Sequence, residues 1–155
     1  MRVTHEVRYD APPDDVYAML TDPAFRERAA GAQGATKVEV TVDDASVRID
    51  MVSPNTDIPA FARKVVGASV HAVQEEEWDG LAADFTITTP MMPASIHGRR
   101  ELVADGGGCL DTFEGESKVR IPVIGGKLEK LFADKLAAGW DAEHGVGVSW
   151  LEGGR

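Results

Sequence analysis

From Val3 to Tyr9 the chain alternates. Val3, His5, Val7 and Tyr9 fall on one side and Thr4, Glu6 and Arg8 on the other, the pattern of a strand with one buried face. The period then changes. Ala11-Pro12-Pro13-Asp14-Asp15 places proline and acids where a helix begins, and Val16, Met19 and Leu20 share one side of it. Asp22-Pro23 restarts a second short helix, with Asp22 as N-cap and Pro23 in the first turn, and Gly31 and Gly34 close it.

Beyond this pair of helices the period is two as far as the last helix. Val38, Val40, Val42 and then Val47, Ile49, Met51 read as a hairpin across Asp43-Asp44. A loop from Pro54 to Pro59 leads into a short helical piece, Ala60 to Val66, ended by Gly67. Ser69 to Trp78 and Leu81 to Thr88 are joined by Asp79-Gly80, the strongest hairpin signal in the chain. Ala94 to Ala104 and Cys109 to Ile121 follow, joined at Asp105 to Gly108. Gly125-Gly126 then releases a helix from Lys127 to at least Ala142, striped by Leu128, Leu131, Phe132, Leu136, Gly139 and Trp140. Gly139, Gly145 and Gly147 weaken its last turns and leave its end open.

The predicted order is strand, two helices, six strands, long helix, an α+β chain without internal repeats or a linker. A seven-stranded, mostly antiparallel sheet is too large to stay flat, so it should curl around the amphipathic C-terminal helix. At 155 residues the length fits a single domain, 1–155, able to bury a core. Sixteen basic against 26 acidic residues give a formal charge of −10. Such a field disfavours nucleic acid and anionic lipid surfaces, and no stretch of the sequence carries a run of Lys and Arg large enough to override it. One cysteine, Cys109, leaves no internal disulfide and no cysteine-based zinc site. The first residues lack the apolar core of a secretory signal, and no apolar run approaches the roughly 20 residues of a membrane span, so the expected location is the cytoplasm without stable membrane insertion.

The order of elements resembles the START-like, or SRPBCC, superfamily of helix-grip proteins, which includes birch-pollen-allergen-type proteins, lipid-transfer domains and polyketide cyclases. The residues that carry the likeness are the opening strand followed by Ala11-Pro12-Pro13-Asp14-Asp15-Val16-Tyr17-Ala18-Met19-Leu20-Thr21-Asp22-Pro23. The run Lys118 to Gly126 (KVRIPVIGG), opening into the last helix, is similar to a branch of the superfamily known only as a domain of unknown function. The resemblance spans nearly the whole chain and implies a cavity between sheet and C-terminal helix for an apolar or amphipathic small molecule. It says little about activity, because one fold hosts many functions. No motif matches a known catalytic set of the superfamily.

Turn chemistry sets an expected register. With Asp79-Gly80 as a two-residue turn, Trp78 pairs with Leu81, Glu76 with Ala83, Gln74 with Phe85 and Ala72 with Ile87. Leu81, Phe85 and Ile87 mark the apolar face, so Gln74 and Glu76 point inward with them, while Glu75, Glu77, Asp84 and Thr86 face water. If Thr89 to Ala94 is the next turn, Ile87 faces Ile96, Phe85 faces Gly98 and Ala83 faces Arg100; the ring of Phe85 covers the missing side chain of Gly98. Arg100 then lies beside Phe113 with Asp111 on the diagonal. Glu76, Arg100 and Asp111 thus share the inner face across two strand spacings, roughly 9.6 Å, a gap two long side chains close above Ala83.

A buried arginine between carboxylates stays charged and keeps the acids charged. The group reads either as a satisfied ion cluster at the closed end of the sheet or as the polar floor of a pocket; a one-residue slip in register would put all three in water. His5 also faces inward, while His71 and His97 do not share its face, so no metal constellation is expected. Met91 and Met92, between prolines, fall at the same sheet end as Pro54 to Gly67 and Ile121 to Gly126. Ile58, Phe61, Met91, Met92 and Val123 would form an apolar rim there, or plug the barrel end.

The expected ligand contacts are His5, Gln74, Glu76, Phe85, Arg100, Asp111, Phe113, Phe132, Gly139 and Trp140. The first functional reading is a non-enzymatic binder of a lipid or polyketide-like molecule, monomeric or homodimeric, with no cofactor. A second is a cyclase- or aromatase-like enzyme using Glu76 or His5 for proton transfer, against which Arg100 would lower the pKa of Glu76. A third is an interaction module with a filled core.

Overall fold

Two-residue periodicity becomes one continuous sheet in the computed structural model, which describes residues 1–56 and 58–154. Strand β1 spans Arg2–Tyr9, and helices α1 (Pro13–Leu20) and α2 (Pro23–Ala32) follow. Strands β2 (Lys37–Asp43) and β3 (Ser46–Pro54) precede helix α3 (Ala60–Val66). Then come β4 (Ser69–Asp79), β5 (Ala82–Thr88), β6 (Ala94–Asp105) and β7 (Gly108–Val119), and helix α4 (Gly125–Leu151). The seven strands pair antiparallel in the order β1-β7-β6-β5-β4-β3-β2, so the first strand closes on the last. This is the helix-grip architecture, with α4 lying in the concave face of a curved sheet.

The short helices follow their local chemistry. Pro13 opens α1, whose Val16, Met19 and Leu20 are buried. In α2 the Asp22 carboxylate accepts the backbone N–H of Ala24 at 2.9 Å. Gly67 ends α3 at a φ of +80°, where a side chain would be strained.

Two turns differ from expectation by one residue. Asp79 pairs with Ala82, so Gly80-Leu81 is the loop of the β4–β5 hairpin, and Trp78 faces Ala83 rather than Leu81. Gly80 has a φ of +64° at the first loop position, where one of the favoured two-residue turns requires glycine. Likewise Asp44-Ala45, not Asp43-Asp44, joins β2 to β3, with Asp44 at a φ of 54°. Both shifts move the pairing by an even number of residues. Facing is therefore kept: Glu76 now opposes Phe85 and Gln74 opposes Ile87, still on the inner face. The pairings Ile87 with Ile96, Phe85 with Gly98, Ala83 with Arg100, and Arg100 with Phe113 stand as expected.

Helix α4 runs well past Ala142, through Gly145 and Gly147, to Leu151. Tertiary contact overrides propensity here. Trp150 packs edge-on against Phe25 of α2 at 5.4 Å. A Cβ on Gly147 would meet the Tyr9 ring at 2.7 Å, so the glycine is what lets the helix lie against β1.

A candidate ligand cavity beside a buried charge cluster

The amphipathic stripe of α4 does not fill the space in front of β3 to β6. A cavity of about 500 Å³ remains. Its walls are mostly apolar: Met51, Ala72, Ile87 and Ile96 from the sheet, and Leu131, Phe132, Leu136 and Trp140 from α4. Gln33 and Gly34 after α2, Pro54 to Thr56 at the end of β3 and beyond it, and Lys135 of α4 also line it.

Beside it lies a charge cluster assembled from five elements. Arg26 (α2), Glu76 (β4), Arg100 (β6), Asp111 (β7) and Glu143 (α4) are all buried. Arg100 is the hub. Its Nε and Nη2 donate to the two Asp111 oxygens at 3.0 and 2.6 Å, Nη2 also to Glu143 at 2.6 Å, and Nη1 to Glu76 at 3.2 Å. Its guanidinium carbon stands 4.5 Å over the Phe113 ring. Arg26 holds Glu76 from the other side, through Nη2 at 2.7 Å and Nη1 at 3.3 Å, and lies 3.9 Å from Glu143. Glu76 further accepts from Gln74 at 2.7 Å and from the Trp78 indole at 3.1 Å. Two guanidiniums thus face three carboxylates, each group hydrogen-bonded, although Arg26 Nε has no partner among the described residues.

Burial by itself would raise the pKa of Glu76. Arg26 and Arg100 outweigh it and bring the group down to about 2. Burial pushes Asp111 up, and Arg100 offsets only part of that. Within the cluster, Glu76 is the group whose folded value is depressed. Its contribution to stability is complete above its unfolded value of 4.5 and is lost as pH falls from there towards 2. That span corresponds to about 3 kcal/mol. Urea unfolding of the wild type should therefore weaken between pH 4.5 and 3, while Glu76→Gln, less stable at neutral pH, should show a flatter acid limb; parallel limbs would refute this role for Glu76.

The residues singled out from sequence separate into three groups. Gln74, Phe132, Gly139, Trp140 and Ile58 line the cavity. Glu76, Arg100 and Asp111 form the charge cluster and lie outside the described lining. Phe85, Phe113 and His5 surround Trp140, with ring centroids at 5.8, 3.8 and 5.7 Å, and His5 Nε2 meets Asp141 at 2.8 Å. Phe61, Met91, Met92 and Val123 stand at the sheet end, outside the described lining. There α3 packs through Ala62 on Val119 and Leu128. A Cβ on Gly139 would approach the Gln33 side chain at 3.2 Å, so this glycine makes room for the residue that ends α2 as well as for the cavity.

Two cluster members carry a signal that a charge on an apolar stripe provides. Arg26 shares a helix side with Phe25, Ala29 and Ala30, and Glu143 falls between Trp140, Gly147 and Trp150 at helical spacing. Cys109 is buried, and burial pushes its thiol up to about 11, away from nucleophile chemistry. Among the described residues no group of three or more His, Cys, Asp or Glu is placed to hold a metal ion.

A sheet closed around a long helix, with a cavity between them, is the helix-grip fold. Residues 4–151 match the model of the family described as "Protein of unknown function (DUF2505)", and the chain belongs to that family. Comparison with curated proteins finds no match. Solved structures share the fold. TTHA0849 from Thermus thermophilus superposes with a TM-score of 0.67 at 22% identity, covering 94% of this chain and 93% of that one. The di-domain ARO/CYC protein BexL of the BE-7585A biosynthetic pathway gives 0.69 at 17% identity, covering 96% of this chain and 49% of BexL. Norcoclaurine synthase from Thalictrum flavum, in complex with dopamine and hydroxybenzaldehyde, gives 0.64 at 15% identity, covering 96% and 87%.

Proposed function

We propose that the protein binds a small apolar or amphipathic molecule, of lipid or polyketide-like character, between the sheet and α4 without transforming it, as a cytoplasmic monomer or homodimer. The observation that carries this reading is the cavity itself. At about 500 Å³ it lies in the range of ligand sites, and its walls are mostly apolar. Burial of apolar ligand surface would supply affinity.

Gln74 would supply orientation. The Glu76 carboxylate accepts only, so it fixes the amide nitrogen of Gln74 towards itself and turns the carbonyl oxygen away from the cluster. Gln74 also lines the cavity, and a hydroxyl or N–H on the ligand would meet that oxygen. The proton-transfer alternatives have less support: Glu76 is held ionised by two guanidiniums, and His5 is engaged with Asp141.

Native mass spectrometry of gently purified protein, with solvent extraction of what comes off, tests the reading. An apolar or amphipathic adduct is expected on the wild type and not on Ala72→Trp, whose indole would occupy the cavity floor. The same variant should bind anilinonaphthalene sulfonate at least about tenfold more weakly, about 1.4 kcal/mol. Absence of any adduct over several preparations, together with equal dye binding by both proteins, would sink the proposal.

A further inference from the structure

One end of the sheet gathers exposed apolar side chains and a share of the basic residues out of proportion to an acidic chain. We propose that this end docks reversibly on the surface of an anionic lipid bilayer. Three segments meet there: α3, the turn between β5 and β6, and the stretch from the end of β7 into α4. Ala62, Val119 and Leu128 form one buried cluster there, with Ala94 at the end of the turn packed against it. The Arg120 N–H donates to the Pro93 carbonyl at 2.9 Å, and Lys127 Nζ stands 5.7 Å from the centre of the Phe61 ring.

The tips of these segments are apolar and uncovered. Val123 is 99% exposed, Met91 90% and Phe61 39%. Val123 has a φ of 74°, a left-handed conformation that costs a β-branched residue and suits glycine or asparagine. Neither burial nor backbone geometry accounts for a valine at that tip. Insertion into an acyl boundary does.

Charge points the same way. The chain as a whole carries −10, yet residues 60–66 and 118–130 hold Arg63, Lys64, Lys118, Arg120, Lys127 and Lys130 against Glu129 alone. All six cations are exposed. Glu129 is already engaged, accepting from the Val119 N–H at 2.9 Å and lying 3.6 Å from the N-terminal ammonium. Lys130 reaches Asp134 at 2.9 Å on the next turn of α4. Apolar tips with cations set behind them match the depth profile of a bilayer surface, acyl boundary first and phosphates next. A nucleic acid would use the cations but would gain nothing from an exposed valine and methionine. The acidic remainder of the surface would be repelled by the same membrane, which orients the molecule end-on.

No helix among the described residues is long and apolar enough to cross a membrane, so the association is peripheral. Ile58, Ala94, Leu131 and Phe132 belong both to the packing of this end and to the cavity wall. A docked molecule would hold its cavity next to the lipid, although docking itself does not rest on what the cavity binds.

Co-sedimentation with vesicles of phosphatidylcholine alone, or mixed with phosphatidylserine, tests the proposal on the full chain. The wild type is expected to pellet with the mixed vesicles only, and less so as salt is raised. The pairs Met91→Asp with Val123→Asp, and Lys64→Glu with Lys127→Glu, should each reduce binding at least about tenfold. Their melting temperatures should not fall below that of the wild type, since all four sites are exposed and aspartate tolerates the left-handed backbone at position 123 better than valine. A wild type that stays in the supernatant with anionic vesicles at low salt would overturn docking, whatever the cavity holds. So would vesicle binding unchanged in both variant pairs. A homodimer that the aspartate pair dissociates, without vesicle binding by the wild type, would reassign the end to a second copy of the chain, and retention on DNA in place of vesicles would reassign it to nucleic acid.

Discussion

Arg100→Met should lower stability by about 3–5 kcal/mol, the cost of breaking a buried ion pair by removing one partner. In a chain of this size that means a melting temperature lower by roughly 6–20 °C. The loss comes from what is left behind. Asp111 loses both of its guanidinium hydrogen bonds and Glu143 its 2.6 Å contact, while Arg26 still serves Glu76. Asp111 then sits buried without a close cation and Glu143 keeps only Arg26 at 3.9 Å, so the charged form of Asp111 becomes the problem. Lowering the pH from 7 towards 5 should accordingly narrow the gap between variant and wild type. Adding Asp111→Asn and Glu143→Leu to the methionine should restore much of the stability, because uncharged replacements need no counter-ion. Thermal melts at the two pH values distinguish these cases. A variant melting within about 2 °C of the wild type would show that Arg100 is not what holds the cluster together.

Gly98→Ala should cost about 3 kcal/mol or more, seen as a melting temperature lower by roughly 6–12 °C, though it adds a single methyl group. Gly98 pairs with Gly115 across β6 and β7. A Cβ there would overlap the Glu114 carbonyl oxygen and come within 2.6 Å of the Gly115 Cα. Both obstacles are backbone, so no rotamer change relieves them, and β7 itself has to move. Alanine at Gly31, where nothing lies within 4 Å of the added atom, is the matching control and should be neutral or slightly stabilising. If Gly98→Ala melts like that control, the close approach of the two strands is not real.

Much of this arrangement can be read from single residues. The opposition of Phe85 to Gly98 and of Ala83 to Arg100 follows from counting across one turn, because the side-chain period in a strand is two. Glu76, Gln74 and Arg100 keep their inward facing even though the Asp79-Gly80 turn is displaced by one residue. The end of α4 is a different matter. Its glycines argue for an early stop, and only the packing of Tyr9 against Gly147 and of Phe25 against Trp150 makes the longer helix worth forming.

Local sequence thus determined the order of elements, the inner and outer faces of the strands and the presence of an arginine between acids on the inner face. Each depends on neighbours one to four residues apart, through periodicity, capping and turn geometry. Tertiary structure alone decided the rest. Arg26 and Glu143 lie far along the chain from Glu76 and Arg100, and only the seating of α2 and α4 on the sheet brings them within 2.6–2.7 Å of those partners. The cavity is likewise a remainder, the volume that α4 and β3 to β6 leave between them once their own contacts are made. The basic, apolar-tipped end arises in the same way, from cations in α3, the end of β7 and the start of α4 that no single stretch of sequence groups together. Periodicity reports which side of an element is buried, whereas convergence between distant elements depends on how their surfaces pack.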